Sequence, residues 1–380
     1  MDAEVAVIGV GTMGSMVMWQ LARKGVSVVG FEQFGIGHDR SAAGGESRAF
    51  RTAYLEGPEY VPLLQEAKNQ WGELEKETGR HLLTLNGGLM IGDETTPSMR
   101  NILQCIKEFK LDHEILERES ARKRYPQHPL RSGEIMVLDK QAGFIKPELS
   151  VLSAARKAEE LGSKIYRYLR VESVSPHAGG VTVVANYKTY LFEKVVITAG
   201  PWLDSLLPNY KENFEVNRLL LAWFAAKDIQ LFTPDRFPIF VRLNDEINLF
   251  GVPTLDGNMV KLAPVTGHGD GFIQDPDNVD RNVKVEDLKS LMNGVGKYLP
   301  DLIPEPIRVS AYMDGFTSDH HPVVGFAPEH ENVVVIGGFS GHGFKMAPVM
   351  GKIAADLVIH GWTPHNIQHL NPNRFTSASI

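Results

Sequence analysis

The sequence predicts an α/β fold: a Rossmann-type, doubly wound domain with an inserted second domain, an antiparallel sheet of α+β character. Three observations carry this. Near the N-terminus Gly9, Gly11 and Gly14 stand at G-x-G-x-x-G spacing between an apolar, β-branched run and a stretch of helical periodicity. Two later buried runs, 194–198 and 333–336, also end in glycine turns ahead of a helix. The stretches 86–144 and 216–309 carry hairpin and alternation signals instead. The division expected is therefore 1–85, 145–215 and 310–380 for the Rossmann-type domain, and 86–144 with 216–309 for the inserted one.

In chain order, Glu4 to Ile8 reads as a buried parallel strand. Gly9 allows the tight turn, Gly11 admits a pyrophosphate to the backbone, and Gly14 lets the helix lie close on the strand. Thr12 to Arg23, opening with Thr12 and Met13, is the helix whose free N–H groups face phosphate. Val26 to Phe31 is the second strand, and Glu32 closes it where a ribose 2′-hydroxyl needs an acceptor. Strand, helix, strand and acid in register predict dinucleotide binding, and the acid argues against a 2′-phosphate. A polar, glycine-rich loop follows (Gly35 to Arg51), of the kind that lies against a ligand. Glu59–Glu77 is amphipathic helix, Leu82–Ile91 a hairpin around Asn86-Gly87-Gly88, and Met99–Phe109 and Pro147–Leu161 are helices. A meander is expected from Val171 to Leu191. The strand Lys194–Thr198 opens into Ala199-Gly200-Pro201-Trp202, a turn placed beside the first phosphate loop. Val216–Lys227 is a strand, Phe237–Val252 a hairpin turning at Asn244-Asp245, and Met259–Leu262 a short strand carrying Lys261. Val285–Tyr298 is helical, Arg308–Met313 a strand, and 347–360 the last helix.

With 380 residues the chain has room for two ordinary domains, and 43% hydrophobic and 22% charged residues are those of a soluble enzyme. A net charge of −7 suggests neither a nucleic-acid nor an anionic-membrane partner. No apolar run reaches membrane length, and the first strand begins too early for a signal peptide, so a cytoplasmic protein is expected. The single cysteine, Cys105, sits in an apolar-periodic stretch and reads as a core thiol, which rules out a disulfide framework. No metal site is expected. His320 and His321 are adjacent and point apart, and Ser340 with His342 lacks the spacing of a nucleophile elbow.

The glycines 337, 338, 341 and 343 form a second place where backbone can touch a planar or anionic ligand. Two such places far apart in sequence suit an extended cofactor such as FAD. A redox cofactor leaves the protein to position substrate, so cations for a carboxylate are sought, and Arg51 and Lys345 are the candidates. A lysine at a helix start opposes the dipole and calls for a compensating anion.

Over essentially its whole length the sequence resembles the monomeric sarcosine oxidase family, which includes N-methyltryptophan oxidase and the bacterial fructosyl amino acid oxidases. The matching stretches are Val7-Ile-Gly-Val-Gly-Thr-Met-Gly14, Glu46-Ser-Arg-Ala-Phe-Arg-Thr-Ala-Tyr54, Glu59-Tyr-Val-Pro-Leu63, Glu73-Leu-Glu-Lys-Glu-Thr78, Val260-Lys-Leu262 and Phe339-Ser-Gly-His-Gly-Phe-Lys345. The resemblance implies an FAD enzyme that oxidises the C–N bond of secondary amino acids and passes electrons to O2, releasing hydrogen peroxide. It places Arg51, Lys345, Phe250 and Gly341 at the substrate, and Lys261 and Arg48 beside the flavin, with Lys261 serving the O2 step. Cofactor contacts are expected from Gly9, Gly11, Thr12, Met13, Gly14, Glu32, Gly44, Gly45, Ser47, Arg48, Val171, Ala199, Gly200, Trp202, Tyr312, Gly341, Gly343, Phe344 and Lys345. Three departures matter. Tyr312 stands where sarcosine oxidases attach FAD through cysteine, so noncovalent FAD is expected. Ala43-Gly44 replaces a histidine pair. Phe250 and Val265 replace the tyrosine and histidine that close the sarcosine pocket. These point to a fructosyl amino acid as substrate, with sarcosine or another N-methyl amino acid as the alternative. A nicotinamide-dependent dehydrogenase and a non-catalytic flavoprotein remain open as other classes.

Overall fold

The computed structural model describes residues 1–265, 272–328 and 330–375. The fold is mixed α/β, built on two large sheets. In the first, strands run in the order 171–177, 180–185, 188–197, 3–8, 28–31, 164–166, and 330–337 joins the far side of Lys188–Ile197 with 323–327 at its edge. Ala3–Ile8 pairs in parallel with Lys188–Ile197 on one side and Val28–Phe31 on the other. The meander and the parallel strand expected at 171–198 turn out to share one strand. Its first half is antiparallel to Gly180–Ala185 and its second half parallel to Ala3–Ile8 and His330–Gly337.

The first helix, Thr12–Arg23, is buried on every side from Thr12 to Ala22, because sheet, Pro147–Glu160 and Ala347–His360 enclose it. Two glycines permit this. A Cβ on Gly14 would lie 1.8 Å from the Gly9 carbonyl oxygen, and one on Gly351 would lie 2.6 Å from the Met16 backbone. Gly9 itself turns the chain with φ +90°.

The second sheet has nine strands, antiparallel except where Ile239–Arg242 runs parallel to Gly88–Asp93. Its longest pair, Phe214–Ala226 with Leu302–Thr317, crosses the divisions expected at 215/216 and 309/310. One expected hairpin does not form. Leu83–Thr84 pairs with Gly143–Ile145 in a small three-stranded sheet, while Gly88–Asp93 joins the large sheet beside Glu134–Asp139. The residues between them step from one sheet to the other, held as Gly87 N donates to Ala142 O and Asn86 Nδ2 to Pro234 O. The hairpin at Asn244 does form, its side-chain Oδ1 accepting from the backbone N–H of Glu246 and Ile247. No helix among the described residues is long and apolar enough to cross a membrane.

Candidate functional site

Two clefts meet between the sheets. The first, of about 990 Å³, runs from Gly9, Gly11, Thr12 and Met13 past Glu32, Val171, Ala199, Gly200 and Trp202 to Gly343 and Phe344. The second, of about 1080 Å³, is walled by Arg48, Arg51, Phe250, Val265, Tyr312, Gly341 and Lys345. Ala42, Asp314, Gly343 and Phe344 line both, so the two are continuous.

The first cleft has the features of a dinucleotide site. Nothing lies within 4 Å of a Cβ built on Gly11, so backbone there is open to a ligand. Among the described residues, the Thr12 hydroxyl at the helix start is buried without a partner. Glu32 is fully enclosed. Its Oε2 accepts from Val10 N at 2.9 Å and its Oε1 from Phe34 N at 2.8 Å. His38 Nε2 also stands 3.4 Å from Oε1, while Oε2 keeps a lone pair for a hydroxyl donor.

The loop 42–47 is shaped by Arg48, which donates to the carbonyls of Ala42, Gly44 and Ser47. Glu148 accepts from Gly45 N and Glu46 N on the loop's other side. Burial pushes the Arg48 guanidinium below its ordinary range, against the charges of Glu148 and Asp314. Gly44 lies flat under Tyr312, since a Cβ there would come within 2.2 Å of the tyrosine ring. The two departures at Gly44 and Tyr312 are thus one exchange of volume. Gly14, Gly44, Gly45, Ser47 and Lys261 are not among the residues lining either cleft. They sit behind the wall and set its shape. Lys261, on Val260–Pro264, is 2% exposed and donates to the Gly45 and Ser47 carbonyls. Burial, with Arg48 nearby, drives its ammonium well below the ordinary lysine range.

Arg51 and Lys345 come together at the end of the second cleft. Arg51 Nη2 donates to both oxygens of Glu56, at 3.0 and 3.2 Å, and its Nε is buried without a partner. Lys345 Nζ donates to His342 O at 2.6 Å and to Tyr54 Oη at 3.4 Å. Trp71 holds the lysine's own backbone by donating Nε1–H to Lys345 O, and stacks on Phe344. Burial and the Arg51 charge bring the Lys345 ammonium down to about 7. Burial works to raise the Glu56 carboxyl, but Arg51, with His342 and Lys345, outweighs it and holds the group at about 2. Burial takes His342 down to about 4. Its Nε2 faces the His320 carbonyl at 3.0 Å and its Nδ1 the Tyr54 hydroxyl at 2.8 Å. Glu56 is the anion whose charge bears on Lys345, but its ion pair is with Arg51.

Sequence reasoning missed Glu56, Tyr54 and Asp314 as members of this site. Glu56 and Tyr54 looked like ordinary loop residues, and only the fold brings them to Lys345. Asp314 carried a signal, being a lone acid within the otherwise apolar Ala311-Tyr-Met-Asp-Gly-Phe316. Cys105 is buried, its Sγ 3.6 Å from Tyr54 O, and is not among the residues lining either cleft.

Residues 4–357 match the family described as DAO, FAD dependent oxidoreductase. The chain is 32% identical over 378 residues to a monomeric sarcosine oxidase of Streptomyces avermitilis, covering 99% of this chain and 98% of that one. It is 29% identical over 377 residues to an N-methyl-L-tryptophan oxidase of Yersinia pestis, covering 99% and 100%. Among solved structures it is similar to an L-proline dehydrogenase from P. horikoshii, at TM-score 0.85 and 21% identity, covering 99% and 98%. At that identity the likeness speaks for the fold.

Proposed function

The chain belongs to the DAO family of FAD-dependent oxidoreductases, and from there we propose that it oxidises the C–N bond of N-substituted, secondary-amine amino acids with O2 as acceptor. The observation that carries this is the pair Arg51 and Lys345 at the end of a largely apolar cleft that opens into the dinucleotide cleft. Gly11, Thr12 and Glu32 on the first cleft, with Gly343 and Phe344 where the two clefts adjoin, would hold FAD. When bound it supplies the acceptor for the hydride that leaves the substrate. The chain's own residues do the rest. Arg51 and Lys345 hold the α-carboxylate, the Leu221, Val241, Phe250, Val265 and Met313 side chains exclude water, and Lys261, held by the Gly45 and Ser47 carbonyls, serves the O2 step. Tyr312 offers no thiol, so FAD is held without a covalent bond.

Within this class the N-methyl amino acids are favoured over the fructosyl ones expected from the pocket departures. The relatives named for sarcosine and N-methyl-L-tryptophan support that choice, and so does the wall chemistry. A fructosyl group would set several hydroxyls against Val241, Phe250, Val265 and Met313 with few partners, and unpaired polar groups are costly to bury. The same apolar wall suits a hydrocarbon side chain on the amino acid. The test is peroxide release across sarcosine, N-methyl-L-tryptophan, N-methyl-L-leucine and fructosyl-valine. The N-methyl amino acids with large side chains should give the highest kcat/KM and fructosyl-valine the lowest. A clear preference for fructosyl-valine reverses the substrate choice, and no peroxide with any of the four removes the oxidase reading.

A further inference from the structure

The second cleft holds two carboxylates, and only one is matched. Glu56 is paired with Arg51. Asp314, on the strand Leu302–Thr317, lines both clefts where they join. Its Oδ1 accepts from Gly315 N at 2.9 Å and its Oδ2 from Gly341 N at 3.1 Å. Among the described residues no side-chain hydrogen bond and no ion pair reaches it. Arg48, the cation acting on it, gives three of its four Nη hydrogens to the carbonyls of Ala42, Gly44 and Ser47. The two backbone bonds fix the carboxyl's direction and use about half of its four acceptor positions. What the site lacks is a cation for this group, and an amino acid brings one.

We propose that Asp314 receives the substrate's ammonium group, so that Arg51 and Lys345 on the carboxylate and Asp314 on the nitrogen together recognise a zwitterion. This rests on the amino acid reading of the site. The ammonium donates an N–H to a free lone pair of Asp314, which fixes the nitrogen at the junction of the two clefts, beside the cofactor. Backbone on both sides makes the arrangement stiff. Ser340 N donates to Gly315 O, and Thr317 N donates to Ser340 Oγ, so the glycine loop and the strand move as one piece.

The proposal has a pH signature. Burial lifts the Asp314 carboxyl to about 6. It is charged above that value and neutral below it, so preference for an ammonium is present above about 6 and lost beneath. The other ionisable groups facing the second cleft are Arg48, Arg51, Glu56, Tyr312, His342 and Lys345, and those of the first are Glu32, His38 and Arg170. Those at the carboxylate end act alike on any ligand that carries a carboxylate, so they cancel in a ratio of two such ligands.

Two non-oxidisable isosteres isolate the effect: 2-aminoisobutyrate, and 2,2-dimethylpropanoate, which has methyl in place of ammonium. Their dissociation constants are measured by calorimetry on the FAD-loaded enzyme and on Asp314→Asn, from pH 5 to 8. Wild type should prefer the ammonium ligand by roughly tenfold at pH 7.5, the worth of one charge-assisted hydrogen bond, and lose the preference by pH 5. Asp314→Asn should bind both ligands alike at every pH, with 2,2-dimethylpropanoate within about threefold of wild type. Equal affinities in wild type at pH 7.5, a preference that survives to pH 5, or equal loss of both ligands in the variant would each overturn the proposal. If wild type binds neither ligand, the amino acid reading falls and takes the proposal with it. The wild-type pH series stands alone should the variant fail to hold FAD.

Discussion

At the scale of single residues the site is governed by buried cations whose charge burial opposes. Lys345 is the sharpest case. Its ammonium, brought down to about 7, is charged below that pH and neutral above it. Glu56 at about 2 stays ionised and His342 at about 4 stays neutral across the same range, so neither changes the sign. Inhibition by butanoate, which has a carboxylate and no amine, should therefore weaken as pH rises from 6.5 to 9. Lys345→Met should bind it roughly tenfold or more weakly at pH 6.5, with the slope gone. An unchanged slope in the variant would assign the titration elsewhere. Lys261 makes a different prediction. Its charge faces two loop carbonyls behind the cleft rather than the carboxylate end. Lys261→Met should slow reoxidation of reduced enzyme by O2 far more than anaerobic reduction by substrate. Stopped-flow traces of the two half-reactions showing equal slowing would remove its role at O2. Of these residues, Lys261 stood out as a lone cation in an apolar strand, whereas Arg51 in a polar loop and Lys345 at a helix start came from asking which cations could hold a carboxylate. Glu56 and Asp314 were not, because a carboxylate's meaning depends on which cation the fold leaves beside it.

Elements differed in legibility for one reason, the range of the contacts that define them. Helices are set by neighbours three and four residues away, and Thr12–Arg23, Val285–Tyr298 and Ala347–His360 were readable to the residue. Strand pairing is non-local. The hairpin expected at Asn86-Gly87-Gly88 failed because each flanking strand finds its partner elsewhere, at 143–145 and 134–139. The strands Arg48–Phe50, His113–Leu116 and Val323–Ala327 also escaped notice, being short and framed by polar residues. The glycines of the first turn allow the element's two jobs to be separated. Gly11 has φ −84° and open space around its Cβ direction, whereas a Cβ on Gly14 meets the Gly9 carbonyl. Gly11→Ala should leave the melting temperature of the apoprotein within about a degree and weaken FAD binding. Gly14→Ala should lower apoprotein stability itself, by about 1–3 kcal/mol as overpacking does. Thermal melts of both apoproteins decide it, and a stable Gly14→Ala would show that helix and strand can part more easily than the packing implies.

For the molecule as a whole, the question is what would keep FAD, held without a covalent bond as proposed, in a cleft between two sheets. The connection that follows residue 272 supplies one answer. It is anchored on the second sheet, where Gln274 N donates to Val216 O and buried Arg218 donates to the carbonyls of Asp280 and Asn282. From there it reaches the side of the first sheet. Asp277 accepts from Trp202 Nε1 at 2.7 Å and from both Nη atoms of Arg170 at 3.0 Å, and Arg281 donates to Asp39 at 2.7 Å. Trp202 and Arg170 are themselves wall residues of the dinucleotide cleft. No local pattern announced this clasp, because its partners lie 75 to 242 residues apart in sequence. Its ion pairs are partly exposed, at 52% for Arg170 and 42% for Asp277, so salt should screen them. All the flavin should appear in the supernatant after acid precipitation. At neutral pH its release, followed by flavin fluorescence, should quicken severalfold in Asp277→Asn. Half-molar salt should bring wild type toward the variant's rate and leave the variant almost unmoved, because screening and substitution remove the same contact. A release rate indifferent to both would mean that the clasp bridges the two sheets' sides without holding the cofactor, and that retention rests on the glycine turn and Glu32 alone.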